Sequence, residues 1–534
     1  MTEDYDIVIA GAGHNALICG AYLAKAGLKV LALEARDVIG GDTITEELTI
    51  PGFHHDSCSS AHALFQASPT MRNNELQLDR YGLHYLKPDP VVTMPFEDGS
   101  SLTMWLDLER TVAEFSRYSK RDGDAYRRMI AEYDSVKKIF NQNQYTPVGY
   151  APNLDDALMQ RPDGVLWLRR YRQSAKEIVD EYFEDDHIRA FMSWLAFMTI
   201  QPVDRPYTGR LAYAIANGRQ YNSWTTPIGG SGSLPAALTA LIEDHGGTVL
   251  AGKPVHELVV EGGRCVGVVT DSGEIFRASK AVVSSIHIKH LVDMAPKADW
   301  GEMFVRGVEQ WKPGFTLFAA HYAISEPPLY PVGDERTPVV AAGIGESSDN
   351  MLRLMNDIRA GKLHQDTPSM LVVNSTAVDP SRAPDGKHTL KVLSFFPYDL
   401  TGGGPARWDE IKEEVAQRNL DYLRKFAPNL TDDKILGSHI ESPVDLERRN
   451  RHNWHGSCHG GDASPAQSGA MRPVPNWASH RMPIPGLYQT GATTHPGGSV
   501  SGGPGRNAAW VVLDDLGLSI ETVIANTQEA THHA

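Results

Sequence analysis

The chain has 534 residues, with 50 Lys and Arg against 66 Asp and Glu and a formal charge of −16; this length predicts more than one domain and room to enclose a large cofactor, and the acidic balance repels polyphosphate backbones, which excludes nucleic acid as a partner. Four cysteines, Cys19, Cys58, Cys265 and Cys458, include no C-x-x-C pair and suggest neither a disulfide framework nor a dithiol centre. The acidic start Met1-Thr2-Glu3-Asp4 is neither a secretory nor a transit signal, so a cytoplasmic setting is expected, and no run approaches the roughly 20 apolar residues of a membrane span, leaving only peripheral membrane contact.

Residues 5–10 read as a buried β-strand, followed by a glycine turn, a helix over 15–26 that stops at Gly27, and a second strand over 29–34. This βαβ opening predicts a parallel, buried sheet, and residues 1–100 are read as the first part of a cofactor-binding domain. Residues 101–222 change to amphipathic helices, among them 125–140 and 174–197, and form a helical cap. Over 223–295 a glycine-rich turn, a helix and strands at 255–260 and 265–270 return the chain to the cofactor domain. Strands at 315–324, 339–344, 369–373 and 389–396, with a helix over 408–426, make 296–450 an α+β substrate domain. In 451–534, dense in Gly and Pro up to Arg506, the cofactor domain is completed by backbone approaching something closely.

Gly11-Ala12-Gly13-His14-Asn15-Ala16 follows a predicted strand and opens a helix, the context in which a glycine pattern signals dinucleotide binding. Gly11 permits the turn, Gly13 lets the backbone reach a pyrophosphate, and Ala16 is small enough for helix to pack on strand. The unpaired N–H groups of the helix start then face the phosphates. Glu34, at the end of the second strand, has the spacing of the acid that accepts hydrogen bonds from ribose hydroxyls, and its charge disfavours a 2′-phosphate. Ala35, Arg36 and the pair Gly40-Gly41, followed by Asp42 and Thr43, would carry a loop over the same pyrophosphate, an arrangement suited to a permanently held FAD.

At the other end, residues 485–492 read as a turn and short strand closing on Gly491-Ala492. His495-Pro496-Gly497-Gly498-Ser499-Val500-Ser501 and further glycines then precede a helix over 508–516. A second glycine loop ahead of a helix offers N–H donors to the pyrimidine edge of an isoalloxazine, where reduction builds negative charge.

With Gly52-Phe53-His54-His55-Asp56, the segment 227–234, His459-Gly460-Gly461, Gln467 and Arg472-Pro473, these motifs give a sequence that resembles the flavin-containing amine oxidase and phytoene desaturase superfamily. Its nearest likeness is to the branch of desaturase-type carotenoid ketolases and pyridine nucleotide-disulphide oxidoreductase domain-containing proteins. The resemblance implies a Rossmann-like α/β FAD domain, discontinuous in sequence, with an inserted substrate domain. It also implies noncovalent FAD, Val255 at the adenine and residues 495–501 against the flavin. The implied activity is dehydrogenation or desaturation, a hydride passing from a mostly apolar or cyclic small molecule to flavin N5, with oxygen or a quinone as electron acceptor. Asp42 stands where the wider superfamily often has Arg, and Gly491-Ala492 replaces a Gly-Asp pair, as in the desaturase-like branch. No lysine can be placed by motif as the flavin-facing lysine of many amine oxidases.

Histidines are the natural proton acceptors near neutral pH, and His495, His55 and His459 are the candidates for catalysis. His452, His455, His459 and Asp462 lack an established metal-ligand spacing, so no metal is expected. A flavin amine oxidase, a carotenoid desaturase or ketolase, and a non-catalytic FAD protein acting through a partner are the other readings. The mean hydropathy of −0.31 advertises no membrane-docking surface for a carotenoid enzyme.

Overall fold

The computed structural model describes residues 5–364 and 366–532, with side chains described as far as Thr527. Its first sheet is built around five parallel strands in the order Leu487–Gln489, Ile275–Ser284, Tyr5–Ala10, Val30–Leu33 and Thr248–Leu250. Val8, Ile9, Leu31 and Val283 are buried because both faces of this sheet are covered, which explains the unbroken apolar runs. Helices His14–Lys25, Ser233–Asp244 and Gly503–Asp515 cover one face, and Ile288, Leu291, Trp300 and Phe304 pack on the other. The antiparallel hairpin Val255–Glu261 and Arg264–Thr270 extends the sheet from the outer half of Ile275–Ser284.

Helices His14–Lys25 and Gly503–Asp515 begin hundreds of residues apart yet cross at their first turns. A Cβ on Gly505 would lie 2.3 Å from the Asn15 carbonyl oxygen, so only glycine admits this approach. Two helix N-termini are thereby brought side by side at the carboxyl ends of the strands, where open α/β sheets bind ligands.

The second sheet runs Ile435–Glu441, Thr316–Ile324, His388–Phe396, Met370–Val373, Ala341–Ile344, Val92–Pro95, Ser101–Met104, antiparallel except where Ala341–Ile344 meets Val92–Pro95. The last two strands fall around the boundary that the sequence suggests at residue 100. They are both buried and attach to the second sheet instead, packing Val92 and Met104 into the core shared with the cap. Side chains alternate across this sheet. Phe318 and Phe396 pack on helix Trp408–Arg424, while Leu317, Leu371, Leu393 and Phe395 face the cap, where the Phe395 ring lies 4.5 Å from that of Phe197.

The cap comprises helices including Leu108–Tyr118, Lys120–Gln144, Ala175–Tyr182, Asp186–Phe197 and Gly209–Asn222. The single helix expected over 174–197 is broken at 183–185. There the buried Asp122 carboxylate accepts from the N–H groups of Glu184 and Asp185 (both 2.9 Å), and Asp185 caps the following helix by accepting from His187 N (2.9 Å) and Ile188 N (3.2 Å). Two carboxylates that satisfy four backbone donors outweigh the continuous apolar periodicity.

Candidate functional site

One cavity of about 1320 Å³ runs from the mouth of the first sheet into the space between the cap and the second sheet. Binding pockets for one small molecule occupy roughly 300–1,000 Å³, so this one has room for a dinucleotide and a second ligand. All of the cofactor-contact residues expected from the sequence line it, with the exception of Gly40. A Cβ at Gly40 would lie 2.7 Å from the Thr43 carbonyl oxygen and 2.8 Å from Pro235, and its N–H donates to the Ala12 carbonyl (3.0 Å). Gly40 thus folds its loop onto the turn rather than onto a ligand.

The glycine turn is held by Glu34. Its carboxylate, 7% exposed, accepts from the N–H of Ala12 (2.9 Å) and of Arg36 (3.1 Å) and keeps lone pairs for a ribose. At Gly11, φ is +93° and a Cβ would strike Ser285 Oγ at 2.4 Å, whereas a Cβ at Gly13 would meet nothing closer than Gly41 Cα at 3.9 Å. The space before Gly13 is therefore open to a ligand rather than to the protein. His14 is neutral, its pKa lowered to about 4 by burial against the opposing pull of Asp42; its Nδ1 meets Thr43 Oγ1 at 2.8 Å and its Nε2 meets Asn15 Nδ2 at 3.0 Å. These contacts make His14, Asn15 and Thr43 one clamp across the two loops.

Asp42 accepts from Asn450 Nδ2 (2.8 Å) and Asn453 Nδ2 (3.0 Å), so the position that is often Arg in the wider family anchors the segment 450–453 here. That segment brings Arg451 to the cavity, a cation that glycine motifs alone could not reveal.

The C-terminal loop is locked from below and above. A Cβ at Gly498 would lie 2.4 Å from His459 Cα, and one at Gly460 would lie 2.6 Å from Ala492 Cβ. The buried Arg472 donates to the carbonyls of Ala492 (3.0 and 2.5 Å), His459 (3.1 Å), Asp462 (3.0 Å) and Gln467 (3.0 Å), which pins 459–467 to 491–492. At the end of helix Lys120–Gln144, the carbonyls of Asn143, Gln144 and Tyr145 accept from His495 Nε2 (2.8 Å), Asn507 Nδ2 (3.1 Å) and Arg506 Nη1 (3.2 Å). The cap is therefore fastened to the loop through its own unpaired helix-end carbonyls.

Of the three histidines expected to serve catalysis, His495 and His459 line the cavity and His55 does not. His55 lies in the short pairing of Thr45–Glu46 with His55–Asp56. Its Nε2 meets Thr49 Oγ1 at 2.9 Å, and its ring sits edge-on to that of His321 at 5.5 Å, away from the cavity. Burial holds His495 and His459 at about pKa 4, so both are neutral at neutral pH. His495 donates through Nε2 to a carbonyl, which leaves Nδ1 as a buried acceptor with no protein partner. Asn15 Oδ1 is likewise buried and unpartnered. Two orphaned acceptors, one beside each glycine loop, together with two helix N-termini, fit a dinucleotide that carries N–H and O–H donors and a pyrophosphate.

Sequence reasoning missed two further groups. Cys58 and Cys458 both line the cavity, and the hydrogen bond between them, more than burial, pushes the Cys58 thiol well above its ordinary pKa. Cys58 is therefore a protonated thiol rather than a nucleophile. Lys391 is buried on strand His388–Phe396, on the face that carries Leu393 and Phe395, and donates to the Cys58 carbonyl (2.5 Å) and Ser60 Oγ (3.1 Å). Separations of hundreds of residues hid both from motif analysis. Among the described residues no cluster of His, Cys, Asp and Glu is arranged to hold a metal, and no helix is long and apolar enough to cross a membrane.

The family model for flavin containing amine oxidoreductase matches residues 17–513. The chain is 27% identical over 570 residues to pyridine nucleotide-disulfide oxidoreductase domain-containing protein 2 of Rattus norvegicus, covering 97% of this chain and 94% of the rat protein. It is 27% identical over 537 residues to one of the limonene dehydrogenase subunits of Castellaniella defragrans, covering 96% and 95%. In fold it is similar to an oxidoreductase from Methanosarcina mazei, with a TM-score of 0.60 at 17% identity over 96% of this chain and all of that one. With a family match across nearly its whole length, the chain belongs to the flavin containing amine oxidoreductases and is an FAD-dependent oxidoreductase.

Proposed function

We propose that this protein is a dehydrogenase or desaturase that removes a hydride from a mostly apolar or cyclic small molecule, the accompanying proton leaving to solvent, and passes the electrons on to oxygen or a quinone. The observation that carries this reading is the continuity of the cavity. It opens at two adjacent helix N-termini and ends in a chamber walled by Leu211, Ile215, Leu317, Leu371, Leu393 and Phe395. Bound FAD supplies the two-electron acceptor, taking hydride at N5. The chain's own work is to hold the substrate C–H within roughly 3–3.5 Å of that atom and to keep water out, which an apolar wall does. In this reading Gly11 to Ala16 and Gly41 receive the pyrophosphate, Glu34 the ribose, Val255 the adenine, and residues 498–501 the flavin edge. His495 and His459, both neutral and both lining the cavity, would offer ring nitrogens as hydrogen-bond acceptors to what is bound there.

The test is anaerobic addition of candidate substrates to the purified flavoprotein. Bleaching of the flavin band by alicyclic or aliphatic substrates that carry no amine is the expected result, and bleaching by primary amines alone would overturn the choice of dehydrogenase over amine oxidase.

A pH dependence follows from the two histidines. With pKa values near 4, neither titrates between pH 5.5 and 8, so reduction by an uncharged substrate should proceed at a constant rate across that window. Protonation sets in only as pH falls through about 4. Stability erodes earlier, because the unfolded chain takes up protons below about pH 6.5 that the folded chain excludes. A limb in the stopped-flow reduction rate centred near pH 6.5, absent in His495→Gln, would show that His495 is an ordinary exposed titrating base instead.

A further inference from the structure

The lining of the cavity is uneven in charge. Its carboxylates, Glu34, Asp42, Asp271 and Asp293, all belong to segments around the first sheet, whereas the wall contributed by residues 133–224 carries Lys137, Arg210 and Arg219 and no Asp or Glu. Lys137 is neutralised by Asp134 at 2.6 Å. Arg210 donates to Tyr133 Oη (3.3 Å) and Gln144 Oε1 (3.1 Å). Arg219 makes one long bond, from Nη1 to the Ser223 carbonyl (3.3 Å), and its guanidinium lies 3.8 Å from the centre of the Trp224 ring. Among the described residues neither arginine has a carboxylate within ion-pair distance.

We propose that Arg219 is the anchor for a substrate carboxylate, so that the molecule dehydrogenated is an alicyclic or aliphatic acid whose apolar body lies between Ile215 and Leu393. The proposal rests on the dehydrogenase reading and narrows its substrate class. Arg219 is partly buried; partial loss of water without a counter-charge is unfavourable for a guanidinium, and burial pulls its pKa down to about 9. A ligand that brings a carboxylate cancels that cost. Stacking on Trp224 holds the guanidinium plane in place, and a planar fork whose side-chain bonds are otherwise unmade matches a carboxylate with two parallel N–H donors. A chain of net charge −16 repels anions at long range, so the cation-only wall is a local feature that selects anions once they are inside. Helix Gly209–Asn222, which carries Arg219, packs on the short helix Ala63–Gln66, and Ala61, Ala63 and Leu64 line the same cavity. The anchor therefore lines the same cavity as the cofactor loops.

The test uses the flavin-loaded enzyme and two probes of equal shape and different charge, cyclohexanecarboxylate and cyclohexanecarboxamide, titrated by calorimetry and by perturbation of the flavin band. The acid is expected to bind at least tenfold more tightly than the amide. That advantage should vanish in Arg219→Met and Arg219→Gln and survive in part in Arg219→Lys, with flavin content unchanged in all three. Equal binding of the two probes, no binding of either, or an acid preference that persists in Arg219→Gln overturns the proposal. A protein that purifies and reconstitutes without flavin would instead overturn the cofactor reading beneath it.

Discussion

Replacing Glu75 by alanine is expected to destabilise the protein by about 4 kcal/mol. Glu75 is 2% exposed and accepts from Arg506 Nε (2.7 Å) and Nη2 (3.2 Å) and from the Tyr22 hydroxyl (2.6 Å). Tyr22 lies on helix His14–Lys25 and Arg506 on helix Gly503–Asp515, so one carboxylate joins the two helices whose N-termini face the cavity. Removing it leaves a buried guanidinium without a counter-charge and frees the Arg506 contact to Tyr145 at the end of the cap helix. The variant should release flavin at a lower urea concentration than the wild type. Glu75→Met with Arg506→Met should recover much of the loss, because two apolar side chains leave no uncompensated charge. A single variant as stable as the wild type would mean that the pair contributes nothing to joining the chain's two ends.

Gly13→Ala is expected to leave the fold intact and lower FAD affinity at least 100-fold. Its backbone, φ −68° and ψ 160°, is open to alanine, and the added methyl meets no protein atom closer than 3.9 Å. The methyl group enters only the space that a pyrophosphate would occupy before the helix N-terminus. Gly498→Ala is the contrasting case, since there the methyl strikes the His459 backbone at 2.4 Å and both stability and flavin should be lost. Thermal melts of the apoproteins separate the two variants. If Gly13→Ala melted like the wild type and kept its full affinity for FAD, the glycine turn would not be the pyrophosphate site.

The cofactor half of the site was legible because it is made of backbone. Turns that need Gly11, Gly41 or Gly498 leave an imprint in the sequence at fixed spacing from a strand and a helix, and Glu34 is fixed by the same spacing. The substrate half left no such imprint. Arg219, Cys58 and Cys458 come to one cavity from elements far apart in the chain, Lys391 supports the Cys58 segment from another, and each alone reads as an ordinary residue of a helix, strand or loop. His55 misled for a related reason. It lies in a family-like motif, yet the motif's work here is local, pairing Glu46 and packing on His321, with Asp56 paired to the buried Arg382 at 2.9 Å. The strands at 92–95 and 101–104 were hidden because each is only four residues long and the first of them finds its sheet neighbour in residues 341–344, far along the chain.

Two glycine loops from opposite ends of the chain share one cavity, and reconstitution of the flavin-free protein with FAD, followed by fluorescence quenching, tests that convergence most directly. One FAD per chain is expected to bind with submicromolar affinity, with loss of affinity in both Gly13→Ala and Gly498→Ala. A folded wild-type protein that leaves FAD fluorescence unquenched at micromolar concentration would be the opposite result.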